Sequence, residues 1–150
     1  MDWCAERGVP FRVLSDGYDR NIARLQEIHG VRFAFDANRM RYEGGKWRIA
    51  AASPDAGCDC GTGNCKRRHI EAYRRQHPAA RIVHIGNGRI SDLCGALAAD
   101  VAFGKGSLAE ALEQRGARFE RFETLHDVVR VLEVLVARLA REANRADGDR

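Results

Sequence analysis

Short apolar runs recur along the chain, and the longer ones end in turn signals. Residues 11–15 run directly into Asp16-Gly17, and residues 81–85 run into Gly86-Asn87-Gly88. Two briefer apolar stretches follow at 101–103 and 118–122. Runs of this length, bounded by glycine-containing turns, predict buried β-strands.

Apolar residues with helical spacing separate these runs. They predict helices over 22–29, 66–77 and 91–98, a helix opened by Ser107 and Glu110 as a capping box, and a long last helix opened by Thr124 and Asp127. Residues 32–42 and 46–51 flank Gly44-Gly45, which predicts a β-hairpin. The alternation predicts an α/β fold with a Rossmann-like, mainly parallel sheet flanked by helices. We expect one domain over 1–142 and a charged, flexible tail over 143–150.

Composition narrows the class of protein further. The 150 residues are 45% hydrophobic and 31% charged, which suits one packed domain. No apolar run approaches the ~20 residues of a membrane span, and no signal peptide is visible, so we expect a cytoplasmic protein with reduced thiols and no membrane partner. The net charge of +4 is spread over scattered arginines without interleaved stacking aromatics, which argues against nucleic-acid binding.

Two polar groups lie where an anion can bind. Ser15 ends the first predicted strand, and its hydroxyl, with the N–H groups of Asp16-Gly17, can hold a phosphate oxygen. The alternative is a simple turn. Lys66 opens a predicted helix, where its ammonium and the free N–H groups would form a cationic pocket. The alternative is a solvated basic face, because Arg67 and Arg68 follow it.

The turn after residues 81–85 offers oxygen ligands. Asn87 and Asp92 are suited to a hard cation such as Mg²⁺. The glycine-rich backbone at Gly88 and Arg89 is a further candidate for close contact with phosphate. The alternative is that Ser91 or Asp92 only caps the helix that follows.

Taken in order, these segments resemble motifs two, three and four of the haloacid dehalogenase superfamily of phosphoryl-transfer enzymes. Residues 13–17 look like motif two, whose hydroxyl binds the substrate phosphate. Lys66 looks like motif three, whose cation neutralises that phosphate, and residues 86–92 look like motif four, whose acidic residues hold Mg²⁺. The phosphoserine-phosphatase-like branch is the most similar, and Gly63-Asn64-Cys65-Lys66 resembles its methionine-salvage phosphatases.

The resemblance implies hydrolysis of a phosphorylated small molecule with Mg²⁺. It places the phosphate at Ser15, Asp16, Gly17, Lys66, Gly88 and Arg89, with Lys66 catalytic, and the metal at Asn87 and Asp92. Two departures change this expectation. The sequence has no apolar strand ending in Asp-x-Asp-x-Thr or Val, the motif-one strand that carries the nucleophile, and no cap. Asn87 stands where the pattern usually has Asp, which predicts weak Mg²⁺ binding.

Without the nucleophile we expect little or no turnover from this chain. The alternative function is a non-catalytic module that binds a phosphate ligand or a protein. In the family the motif-one strand lies between the strands of motifs two and four, so we expect either a gap or direct pairing of residues 11–14 with 82–85. An unpaired edge invites association, which makes a homodimer covering the incomplete sheet a further expectation.

Three cysteines cluster in a predicted loop. Cys58, Cys60 and Cys65 could bind Zn²⁺ with a fourth ligand such as His69. Structural zinc sites usually have two paired knuckles, however, and this loop has one irregular set. We favour the alternative of reduced thiols above the phosphate pocket. His84, in a predicted strand, is expected to be structural.

Overall fold

The computed structural model describes the backbone of residues 2–148 and the side chains of residues 2–141 and 145, and within them the chain forms six strands and six helices. The strands are β1 (Arg12–Tyr18), β2 (Ala34–Glu43), β3 (Lys46–Ala50), β4 (Val83–Gly86), β5 (Val101–Gly104) and β6 (Glu120–Arg121). The helices are α1 (Asp2–Glu6), α2 (Asp19–His29), α3 (Lys66–Gln76), α4 (Leu93–Ala98), α5 (Gly106–Gln114) and α6 (Leu125–Gly148).

The strands form two three-stranded sheets instead of the single sheet expected. β1 pairs in parallel with β2, and β2 pairs antiparallel with β3. The second sheet, β4-β5-β6, is entirely parallel. The protein is therefore a mixed α/β fold flanked by helices. Within residues 2–148, β1 and β4 are not paired with each other, so the structure has the gap and not the direct pairing of residues 11–14 with 82–85.

β1 continues beyond the turn that the sequence predicts. Leu14 pairs with Asp36 and Tyr18 with Asn38, so β1 carries two more residues than β2 over this interval. These two extra residues form a bulge in β1. Within it, the hydroxyl oxygen of Ser15 accepts a hydrogen bond from the N–H of Gly17 at 3.0 Å. The predicted turn is wrong because the backbone returns to its partner strand after the bulge.

Local end signals predict two helices well. α2 ends at Gly30, which has a left-handed φ of 62°. The Asp127 carboxylate accepts hydrogen bonds from the N–H and the hydroxyl of Thr124 at 2.8 and 3.0 Å. This confirms that Thr124 and Asp127 open α6, with the half of a capping box in which the Asp127 side chain accepts from the Thr124 N–H.

The capping box predicted for α5 is wrong. The helix begins at Gly106, one residue before Ser107. The Ser107 hydroxyl donates instead to the carbonyl of Asn87 at 3.2 Å. It has this partner because α5 packs beside the turn that follows β4.

The hairpin is confirmed, with Gly44 and Gly45 at φ 57° and 74° between β2 and β3. All five residues of β3 are exposed, so the hairpin adds little to the core. Two clusters of buried apolar residues lie around the second sheet: Ala96, Ala102, Leu108 and Leu112, then Phe103, Phe122 and Val128. Ile22 of α2 and Ala37 of β2 are buried beside the first sheet.

α6 runs to Gly148, so the predicted tail over 143–150 begins within a helix. Asp149 and Arg150 of that tail lie outside the described residues. Across residues 2–148, no helix combines the length and the apolar character that crossing a membrane requires.

Candidate functional site

Lys66 is a buried cation without a matching anion. It is the first residue of α3, and only 1% of it is exposed. Its Nζ donates to the carbonyl of Asn64 at 3.3 Å, and among the side chains that the structure describes it forms no ion pair with a carboxylate. A buried ammonium is costly unless it is paired and hydrogen-bonded. The positive charge of Lys66 is therefore largely uncompensated.

Asn64 connects this cation to the first sheet. Its amide nitrogen donates to the carbonyls of Ser15 and Asp36 at 2.7 and 2.9 Å. Its backbone N–H donates to the Asp16 carboxylate at 3.2 Å. The structure thereby brings Ser15 and Asp16 of the β1 bulge beside the residue that accepts from Lys66.

His84 of β4 lies close to both Lys66 and Asp92. A Cβ added at Gly95 of α4 would stand 2.6 Å from the Lys66 Cβ and 2.9 Å from the His84 Cε1, so both side chains pack on that glycine. Burial lowers the pKa of His84, while the nearby Asp92 carboxylate raises it and Lys66 lowers it. Within the described chain, the His84 Nε2 is buried and has no hydrogen-bond partner. It is an unused polar atom near the cation.

The Asp92 carboxylate is occupied by the turn after β4. Its Oδ2 accepts the N–H groups of Asn87 and Gly88 at 3.0 and 2.8 Å. The N–H of Arg89 donates to the hydroxyl of Ser107 at 3.1 Å. The backbone groups at Gly88 and Arg89 that the sequence offered to phosphate thus already have partners.

These residues do not by themselves fit a Mg²⁺ site. Asp92 supplies one carboxylate with one oxygen already in use, and Asn87 is exposed and neutral. Mg²⁺ requires near-octahedral oxygen coordination, usually with one or two carboxylates and substrate phosphate. Among residues 2–148, no convergence of three or more acidic or histidine ligands occurs at this turn.

A second site begins one residue before Lys66. Four cysteine sulfurs lie within 4.8 Å of one another, those of Cys58, Cys60 and Cys65 in the loop before α3 and that of Cys94 in α4. The Cys65 and Cys94 sulfurs are 4.0 Å apart. The structure describes all five cysteines of the chain, and each is a free thiol. The cluster could bind a metal ion.

The fourth member of this cluster is Cys94, not the predicted His69. The Nε2 of His69 contacts the side-chain oxygen of Asn64 at 2.5 Å, so His69 supports the Lys66 region instead. The sequence did not predict Cys94 as a member of the cluster, because it lies 29 positions after Cys65 in the chain. The available signal was that each lies at the N-terminal end of a predicted helix.

The cluster thiols differ in acidity. Burial raises the pKa of Cys65 to about 12 and also raises that of Cys94. At Cys60 burial also raises the pKa, but hydrogen bonds with the hydroxyl and the N–H of Thr62 outweigh it, and the pKa falls to about 7. The cluster borders a cleft of about 650 Å³, whose other lining residues include Arg67, Arg89, Leu93 and Leu97. Lys66 does not line this cleft.

No protein-family model matches the chain, and no curated protein matches it. The resemblance to the haloacid dehalogenase superfamily remains a prediction from the motifs.

Proposed function

We propose that this chain is a phosphate-binding domain of the haloacid dehalogenase type, whose ligand is a phosphorylated small molecule held at Lys66. The observation that carries the proposal is the buried ammonium, which has no carboxylate partner among the described side chains. An ammonium has three N–H donors, and the Asn64 carbonyl takes one of them. A phosphate dianion would accept from the others and supply the missing negative charge.

Two neutral groups suit the same ligand, one linked to Lys66 through Asn64 and one packed with Lys66 on Gly95. The Ser15 oxygen accepts from Gly17, which leaves its own hydroxyl hydrogen free to donate to a phosphate oxygen. The Nε2 of His84 has no partner in the described chain, and in the Nε2–H tautomer it is a further donor. Lys66 would provide the charge, and Ser15 and His84 would provide orientation.

We propose that the chain binds this ligand without turning it over. Hydrolysis in the family requires an aspartate nucleophile, and these 150 residues contain no motif-one aspartate. The Asp16 carboxylate accepts from the Asn38 amide and the Asn64 N–H, and that of Asp92 accepts from the turn after β4. In each carboxylate these bonds engage one oxygen, Oδ1 of Asp16 and Oδ2 of Asp92, and neither residue belongs to a motif-one strand.

Access to Lys66 sets a condition on binding. Because only 1% of Lys66 is exposed, a phosphate group reaches the ammonium only when the residues around it move apart. A small ligand is favoured, because it requires a smaller displacement of the residues around Lys66.

Calorimetric titration with inorganic phosphate and with p-nitrophenyl phosphate tests the proposal. The wild-type chain should bind both, Lys66→Met should bind at least ~10-fold more weakly because a charge-assisted contact is lost, and exposed Lys46→Met should match wild type. No p-nitrophenol should be released with or without Mg²⁺. Absence of binding to wild type would refute the ligand, and Lys66-dependent hydrolysis would refute the lack of turnover.

A further inference from the structure

We propose that the chain binds one zinc ion in a closed, tetrahedral, structural site formed by the sulfurs of Cys58, Cys60, Cys65 and Cys94. This site is separate from the Lys66 ammonium and does not depend on the proposed function.

The spacing of the sulfurs fits a single zinc ion. A Zn–S bond of about 2.3 Å places the ligands of a regular tetrahedron roughly 3.8 Å apart. The four sulfurs already lie within 4.8 Å of one another, and Cys65 and Cys94 are at 4.0 Å. A disulfide would need about 2.05 Å. Side-chain adjustments of less than ~1 Å would therefore complete the zinc geometry.

The loop that carries three of the ligands is held in place by its own hydrogen bonds. The N–H of Cys58 donates to the Asp55 carbonyl at 3.1 Å, and that of Cys65 donates to the Ser53 carbonyl at 2.9 Å. The Asp55 carboxylate is fixed by Arg67 at 2.9 Å. Such supporting contacts orient metal ligands before the ion arrives.

Nearby positive groups offset part of the −2 charge of a zinc tetrathiolate. The N–H groups of Arg67 and Arg68 belong to the first turn of α3 and face the sulfurs of Cys94 and Cys65. Unpaired N–H groups at a helix start favour thiolate. The Arg67 guanidinium lies beside Cys58 and adds positive charge.

The donor set selects the metal class. Four thiolates are soft ligands that suit zinc or iron–sulfur chemistry and exclude Mg²⁺. The sulfurs are close enough to share a single ion, whereas the ligands of an iron–sulfur cluster surround several iron and sulfide ions and stand farther apart. The ion would join the loop before α3 to α4 and fix Cys65, the neighbour of Lys66. Binding would then contribute directly to folding.

Metal analysis of the full chain, purified under reducing conditions, tests the site. Wild type should carry one zinc per chain, and replacement by Co²⁺ should give the thiolate charge-transfer and d–d bands of a tetrahedral site. Cys94→Ser should bind Co²⁺ at least ~10-fold more weakly, as expected for loss of a ligand. Cys4→Ser is the matched control, because Cys4 is a free thiol of α1 outside the cluster, and it should behave as wild type.

Three results would overturn the assignment. The first is a reduced, folded wild-type chain that neither carries zinc nor shows the Co²⁺ thiolate bands. The second is tight zinc binding in Cys94→Ser that is lost in His69→Ala. The third is iron with acid-labile sulfide. Should Cys94→Ser fail to fold, the Co²⁺ titration of wild type still decides between a tetrahedral thiolate site and none. Phosphate calorimetry on the same samples reports separately on Lys66.

Discussion

Replacing Lys66 with methionine removes a buried charge and keeps an unbranched side chain of similar length. Among the described side chains, the ammonium has one hydrogen-bond partner, the Asn64 carbonyl, and no carboxylate partner. Burial of such an ion costs several kcal/mol, which a single charge-assisted hydrogen bond offsets by about 1.5–3 kcal/mol. Without phosphate, we therefore expect Lys66→Met to raise the free energy of unfolding by about 1–3 kcal/mol.

Phosphate should offset this advantage. A ligand at 100 times its Kd stabilises the native state by about 2.7 kcal/mol, whereas a variant that binds ~10-fold more weakly gains about 1.4 kcal/mol at the same ligand concentration. For a chain of this length, 1 kcal/mol corresponds to about 2–4 °C in Tm. Phosphate at 100 times the wild-type Kd should thus raise the Tm of wild type by ~5–10 °C and that of Lys66→Met by at most about half as much.

Differential scanning calorimetry with and without phosphate measures both effects, at equal metal content. Lys46→Met removes the same charge from the exposed hairpin and should keep the wild-type phosphate response. The reasoning would be refuted by a phosphate shift in Lys66→Met that is as large as that of wild type. It would also be refuted by a Tm for this variant that lies several degrees below wild type without ligand, because Lys66 would then be well compensated in the native state.

Two further predictions concern packing and pH. Gly95→Ala should lower the free energy of unfolding by about 1–3 kcal/mol in urea titrations, since the new methyl meets the Lys66 Cβ at 2.6 Å, whereas Leu97→Ala on the exposed face of α4 should change it much less. The hydrogen bonds from Thr124 lower the pKa of Asp127 from 3.8 to about 2, so its stabilising contribution is present above pH 3.8 and disappears as the pH falls toward 2. The Tm of Asp127→Asn should therefore lie below that of wild type at pH 6 and converge with it near pH 2; a constant difference would contradict this.

Elements that depend on local signals could be predicted from the sequence. Gly44-Gly45 sets the hairpin, Gly30 ends α2, and Asp127 caps α6, each through contacts within a few residues. The bulge at Ser15 and the start of α5 at Gly106 could not be predicted in this way. The first depends on the register with β2, and the second on the carbonyl that follows β4.

The same distinction applies to the site. Motif order singled out Ser15 and Lys66, which the structure connects through Asn64. The roles of Asn64, His84 and Cys94 were missed, because each depends on partners distant in the chain. An inward-facing His84 on a strand and a cysteine at a helix start were the signals available, and both also fit ordinary packing residues.

The hydrogen bonds of Asn64 have a consequence for the order of folding. They join residues separated by 49 and 28 positions, so they form only after the first parallel strand pair and the segment before α3 have come together. Closing loops of that length is entropically slow, whereas the hairpin and the helices require only nearby residues. Lys66 therefore acquires its buried environment late, and a partly folded chain would expose the ammonium to solvent until Asn64 docks.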